Sequence, residues 1–152
     1  MLFLIKDMFD DLFTLYVRRT NPSGKYYYTF LVHPRNHADI FRKFPFLRFL
    51  PKFGLKLFEY YWWPTTVSHI TGLKHVKSGE EILGFVVSIP MTAESMLLNR
   101  KRALQQIRRA TILARNKGSK FIGLGALTAS LSSGGRDLLD VEDIYVTTGH
   151  TY

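Results

Sequence analysis

The sequence predicts an α/β domain, a mixed sheet with a βαβ unit and flanking helices. Three observations carry this. Apolar, β-rich runs occur at 26–32, 82–89 and 121–127, the first two closed by His33-Pro34 and Pro90. A helical pattern over 93–117 separates the last two, which makes a βαβ crossover, right-handed by default. The chain has 152 residues, 46% of them hydrophobic and 14% aromatic, which suits one packed domain and leaves little room for two.

Residues 1–19 read as an amphipathic helix. Leu2, Ile5, Phe9, Leu12, Phe13 and Tyr16 recur at helical spacing, and Asp7, Asp10 and Asp11 fill the other face. Asn21-Pro22-Ser23-Gly24 is a turn, so 1–25 reads as helix plus linker and 26–152 as the α/β domain proper. Tyr26 to Val32 is a buried strand stopped by His33-Pro34. Asn36 or His37 opens a short helix through Lys43, Pro45 and Pro51 cut the next stretch into short pieces, and 53–62 forms another helix. Thr65 to Leu73 and Ile82 to Ile89 pair as a hairpin across Lys77-Ser78-Gly79-Glu80.

The helix over 93–117 is capped by Thr92, favoured by Glu94 in its first turn and stopped by Gly118. Its apolar stripe is Leu97, Leu104, Ile107, Thr111 and Ala114. A strand over 121–127, a Ser/Gly-rich loop over 129–135 and a last strand over 144–147 complete the chain.

Charge and composition narrow the classes of function. Lys plus Arg outnumber Asp plus Glu by 21 to 12, a formal net charge of +9, so acidic partners are favoured: a carrier protein, an anionic membrane or nucleic acid. With no cysteine there is no disulfide, no thiolate zinc site and no thiol nucleophile. Lys6 and three aspartates interrupt the apolar N-terminus, against a signal peptide, and no 18-residue apolar run exists. A cytoplasmic location is expected. His33, His69 and His75 match no compact ligand spacing, so no metal is expected.

Four features offer chemistry. Eight basic residues lie between Glu94 and Lys120, either a docking face or a solvated helix face. From His37 to Trp63 aromatics alternate with Arg42, Lys43, Arg48, Lys52 and Lys56. These rings are expected to be mostly core, with a membrane surface or an acyl-chain site as the alternative. Gly123 and Gly125 resemble a dinucleotide fingerprint, but Thr128 occupies the third glycine position and no helix is expected to open there. Exposed Thr128, Ser130, Ser132 and Ser133 are then expected at the C-terminal edge of the parallel sheet, where α/β proteins bind ligands. Thr147-Thr148-Gly149-His150 adds a polar strand end. Nucleic acid is not expected, because no recognised motif accompanies the aromatics.

Taken together, Phe-Leu-Val-His-Pro at 30–34, Arg-Lys-Phe-Pro at 42–45, Val-Ser-His-Ile-Thr-Gly at 67–72, the basic helix at 100–117, Gly-Leu-Gly-Ala-Leu-Thr-Ala-Ser at 123–130 and Thr-Thr-Gly-His at 147–150 resemble one family. It is the long-chain fatty acyl-carrier-protein reductases and the related predicted amino acid dehydrogenases. The resemblance covers most of 26–152, and its last two motifs are the most specific; His150 stands where many members have Asn. It implies a substrate-side α/β domain preceding a Rossmann domain that binds NADPH, with the acyl-accepting cysteine and the cofactor loop downstream. This chain alone would bind no cofactor and hold no catalytic residue. Gly125, Thr128, Ser130, Thr148 and His150 would line the cleft, and Arg100, Arg102, Arg108 and Arg109 would contact an acidic carrier. The alternative is a stand-alone basic module for an anionic membrane or nucleic acid.

Overall fold

The computed structural model describes residues 2–17 and 27–148. Five strands form one mixed sheet: β1 (Tyr27–Val32), β2 (Thr65–Lys74), β3 (Glu81–Ser88), β4 (Ser119–Leu124) and β5 (Tyr145–Thr147). Their spatial order is β2-β3-β1-β4-β5. The last four are mutually parallel, and β2 is an antiparallel edge hairpinned to β3. Gly79 closes that hairpin at φ +69, a conformation glycine adopts without steric cost.

The predicted βαβ unit is present with one refinement. β3 and β4 do not touch: they flank β1, so the crossover spans the central strand. The crossover carries α4 (Ala93–Leu98) and α5 (Arg100–Asn116). Helix α1 (Leu2–Tyr16) lies beside α5 and β2. The main core is one cluster in which Leu15 of α1 and Ile107 and Leu113 of α5 meet Leu31, Val87 and Ile122 of the sheet. A smaller core of Ile40, Leu47 and Phe58 joins α2 (His37–Lys43), a 3-10 helix (Pro45–Phe49) and α3 (Lys52–Tyr61).

Several expectations are corrected. The predicted apolar face of α1 is turned outward: Ile5, Phe9, Phe13 and Tyr16 are exposed, while Met8, Asp11, Thr14 and Leu15 are buried. The cause is polar. Asp11 accepts from the Thr66 backbone N–H, from the Thr66 hydroxyl at 3.0 Å and from Lys117 Nζ at 2.7 Å, and these bonds set the helix's rotation.

The single helix over 93–117 is two helices. Asn99 leaves helical geometry (φ −131, ψ 71) and its side chain accepts from the Arg102 N–H at 3.1 Å, capping α5 afresh. Leu97 is consequently exposed instead of joining the core stripe.

The strand over 121–127 ends at Leu124, and the expected loop over 129–135 is helical at its start only: α6 (Ala126–Leu131) is followed by a 3-10 segment over Ser133–Leu138 that Gly134 and Gly135 interrupt at φ +70 and +88. β1 is buried on one face only. Thr29 and Leu31 face the core, whereas Phe30 and Val32 face outward with Phe121 and Tyr145 of the neighbouring strands. The predicted turn over 21–24 lies outside the described residues.

Candidate functional site

In open α/β sheets, ligands sit beyond the carboxyl ends of the strands, where the chain changes its direction of travel across the sheet. Here β1 leads towards β3 and β4 leads towards β5, so that change lies between β1 and β4. The parallel register sets Gly123 beside Thr147, which brings Gly125 and Thr148 to the same edge. Gly125 is exposed, Ser130 is exposed and Thr148 is half-buried; His150 lies outside the described residues.

Thr128 and Ser132 are not presented to solvent, contrary to the sequence expectation. Both are fully buried. Thr128 Oγ1 donates to the Gly125 carbonyl at 2.9 Å and Ser132 Oγ to the Thr128 carbonyl at 2.7 Å, so each hydroxyl is consumed in winding the unexpected helix α6.

The same geometry tests a dinucleotide. The cradle needs an open glycine turn, but a Cβ on Gly123 would lie 2.6 Å from the Phe30 ring, so that space is already filled. At Gly125 a Cβ would meet Leu31 O and Thr128 Oγ1 at an ordinary 3.8 Å. With Thr128 buried in the third position, these residues do not fit a nicotinamide cofactor.

A concave surface lies elsewhere, among the short helices that follow β1. An open groove of about 390 Å³ runs between the 3-10 helix and α3, lined by Phe46, Leu50, Gly54, Leu57, Tyr61 and Trp62 among others. Gly54, Leu57 and Tyr61 recur at helical spacing and so share one side of α3, while Leu50 reaches the groove from the end of the 3-10 helix. Gly54 forms part of the floor; a Cβ there would press on Leu50 at 3.3 Å.

A tighter recess adjoins it and reaches the strand ends at Pro34, Ser88, Ile89 and Pro90. Phe58 and Trp62 line both. Trp62 and Trp63, the chain's two tryptophans, stack at 4.3 Å between ring centres.

The walls are fixed by polar ties. Buried Glu59 accepts from the Thr92 N–H at 3.1 Å and the Ser95 hydroxyl at 2.6 Å, with His37 Nε2 at 3.4 Å, and so binds α2, α3 and the start of α4 together. Gln106 Nε2 donates to the Trp62 carbonyl at 3.0 Å. Beside this junction Trp62 Nε1, Arg102 Nε and Gln106 Oε1 are buried without a hydrogen-bond partner among the described residues. Such orphans are costly and call for an explanation. Sequence reasoning missed Glu59 and Gln106; the only local signal was an acid and an amide at otherwise apolar helix positions.

The four expected docking arginines divide. Arg100 is exposed at the start of α5 and Arg109 is half-buried. Arg102 lies 4.5 Å over the Tyr60 ring and donates to the Tyr60 carbonyl. Burial first, then the neighbouring Arg109, pulls its guanidinium below the usual range. Arg108 forms a forked pair with Asp140, which raises the arginine and lowers the carboxyl.

Comparison with known proteins yields no matching family model and no significant match among curated proteins. Among the described residues no helix is long and apolar enough to cross a membrane, and no three metal-ligating side chains converge.

Proposed function

We propose that this chain is the substrate-side module of a cytoplasmic, NADPH-dependent reductase acting on acyl thioesters, and that its own task is to hold the acyl chain. The observation that carries this is the open apolar groove of about 390 Å³ between the 3-10 helix and α3. It falls within the size range of small-molecule sites, which are mostly apolar with a few placed polar groups. Trp62 lines both cavities, and its indole N–H, which has no hydrogen-bond partner among the described residues, is a donor for a polar head such as a thioester. Arg100 and Arg109 remain as contacts for an acidic carrier, with Arg102 and Arg108 already engaged within the chain.

The bare sheet face around Phe30, Phe121 and Tyr145 supports a further layer. Parallel sheets are almost always covered on both faces, and a Rossmann domain would supply that cover together with the cofactor site this chain does not form.

The test uses the built-in fluorophores. Because both tryptophans line the recess, titration with soluble acyl thioesters of increasing length should give a saturable change in tryptophan emission. Each added methylene should tighten binding severalfold, since a buried CH₂ contributes about 0.8 kcal/mol. Leu57→Glu, placing a charge in the groove, should abolish the response. Equal responses to acetyl and long-chain thioesters would sink the acyl reading. The reductase half is checked on the full reading frame as thioester-dependent NADPH oxidation; acyl binding without hydride transfer would leave a lipid-binding protein.

A further inference from the structure

The rim of the groove poses a separate question. Phe49 is 89% exposed and Phe53 is 70% exposed, with Phe46 and Tyr61 also in solvent. Sequence alone assigned most of these rings to the core, and the structure places them on the surface. Single exposed rings need no explanation, but a contiguous set does. Phe46 and Tyr61 line one groove, which shows that the 3-10 helix and α3 present a common surface.

That surface has one sign of charge. Residues 40–58 contain Arg42, Lys43, Arg48, Lys52 and Lys56 and no acid. At 3.6 residues per turn, Lys56 and then Lys52 lie to one side of Phe53 on α3, and all three are exposed. Lys52 moreover stands in the first turn of α3, where the helix dipole favours an acid and where no side chain caps the free N–H groups. Folding gains nothing from a cation there. A local rule broken without compensation points to a binding role.

We infer that this face docks on an anionic lipid surface, with Phe49 and Phe53 entering the headgroup boundary and Arg48, Lys52 and Lys56 meeting lipid phosphates and carboxylates. The chemistry is that of an interfacial amphipathic segment: apolar rings at the boundary, cations beside them. An acidic protein partner would satisfy the cations but not two nearly naked phenylalanines. The inference rests on the exposed patch and stands whether or not the groove takes an acyl chain. If both hold, the groove mouth opens onto the bilayer and a chain can enter from it.

The test is co-sedimentation of the chain with vesicles of phosphatidylcholine alone and of phosphatidylcholine mixed with phosphatidylserine. Binding is expected to the mixed vesicles at low salt. It should weaken sharply by 1 M salt, where the Debye length falls to about 3 Å. Each lysine near the surface contributes about fivefold in affinity, so Lys52→Gln with Lys56→Gln should weaken binding roughly twenty-five-fold. Phe49→Ser with Phe53→Ser should weaken it as well while leaving the thermal melt unchanged, because both rings lie outside the core. No binding to the mixed vesicles at low salt would overturn the inference. So would equal binding to both vesicle types, or wild-type binding by the phenylalanine variant. Thioester titration without vesicles reports separately on the groove.

Discussion

Asp11 accepts from two groups of Thr66 and from Lys117, side chains 55 and 106 residues away, and it is 1% exposed. Removing one partner of a buried pair leaves the other desolvated and unpaired, which typically costs about 3–5 kcal/mol. Asp11→Ala should therefore lower unfolding free energy by about 3 kcal/mol in urea denaturation; a loss below about 1 kcal/mol would show that water replaces the carboxylate.

The exposed pairs behave differently. Arg35 lowers the Asp39 carboxyl and Arg108 lowers that of Asp140, chiefly through hydrogen bonds. A carboxyl depressed in the folded state stabilises above its unfolded pKa, about 3.9. That stabilisation is lost as pH falls through the folded value. The melting temperature of wild type should thus exceed that of an Asp39→Asn, Asp140→Asn variant by a small constant margin from pH 8 to 5. The margin should shrink below pH 4, and one that grew on acidification would contradict the assignment.

Helix boundaries turn on caps. Asn99 ends α4 and begins α5, so Asn99→Ala should cost about 1 kcal/mol, read as a fall in denaturation midpoint at unchanged slope. The cap was visible in principle, as an Asn preceding Arg100-Lys101-Arg102, but a continuous 3.6-residue pattern on both sides masked it. α6 was hidden by composition: Ser132-Ser133-Gly134-Gly135 draws the eye to a loop, while Ala126 to Leu131 is ordinary helix-forming sequence. The rotation of α1 could not be read locally at all, since nothing near Asp11 in the chain announces Thr66 or Lys117. The strands were legible because their apolar runs are long and sharply punctuated, and all five are present within a few residues of expectation.

Across the whole molecule, the class of fold and the crossover followed from pattern, whereas the functional surface did not. Periodicity marks which residues are apolar, not which apolar residues lack cover. The outward rings of β1, β4 and β5, the outer stripe of α1 and the rim of the groove are all apolar and all exposed. Together they leave several separate apolar surfaces without cover.

The central strand carries one more consequence. Thr29 of β1 pairs with Phe85 on one side and Ile122 on the other, both far along the chain. During synthesis the strand Tyr27–Val32 must wait for β3, and then for β4, before its ladder closes. Long-range parallel pairing of this kind folds slowly and leaves apolar edges open in the interim. The nascent chain therefore passes more than half of its translation with its middle strand lacking one or both partners.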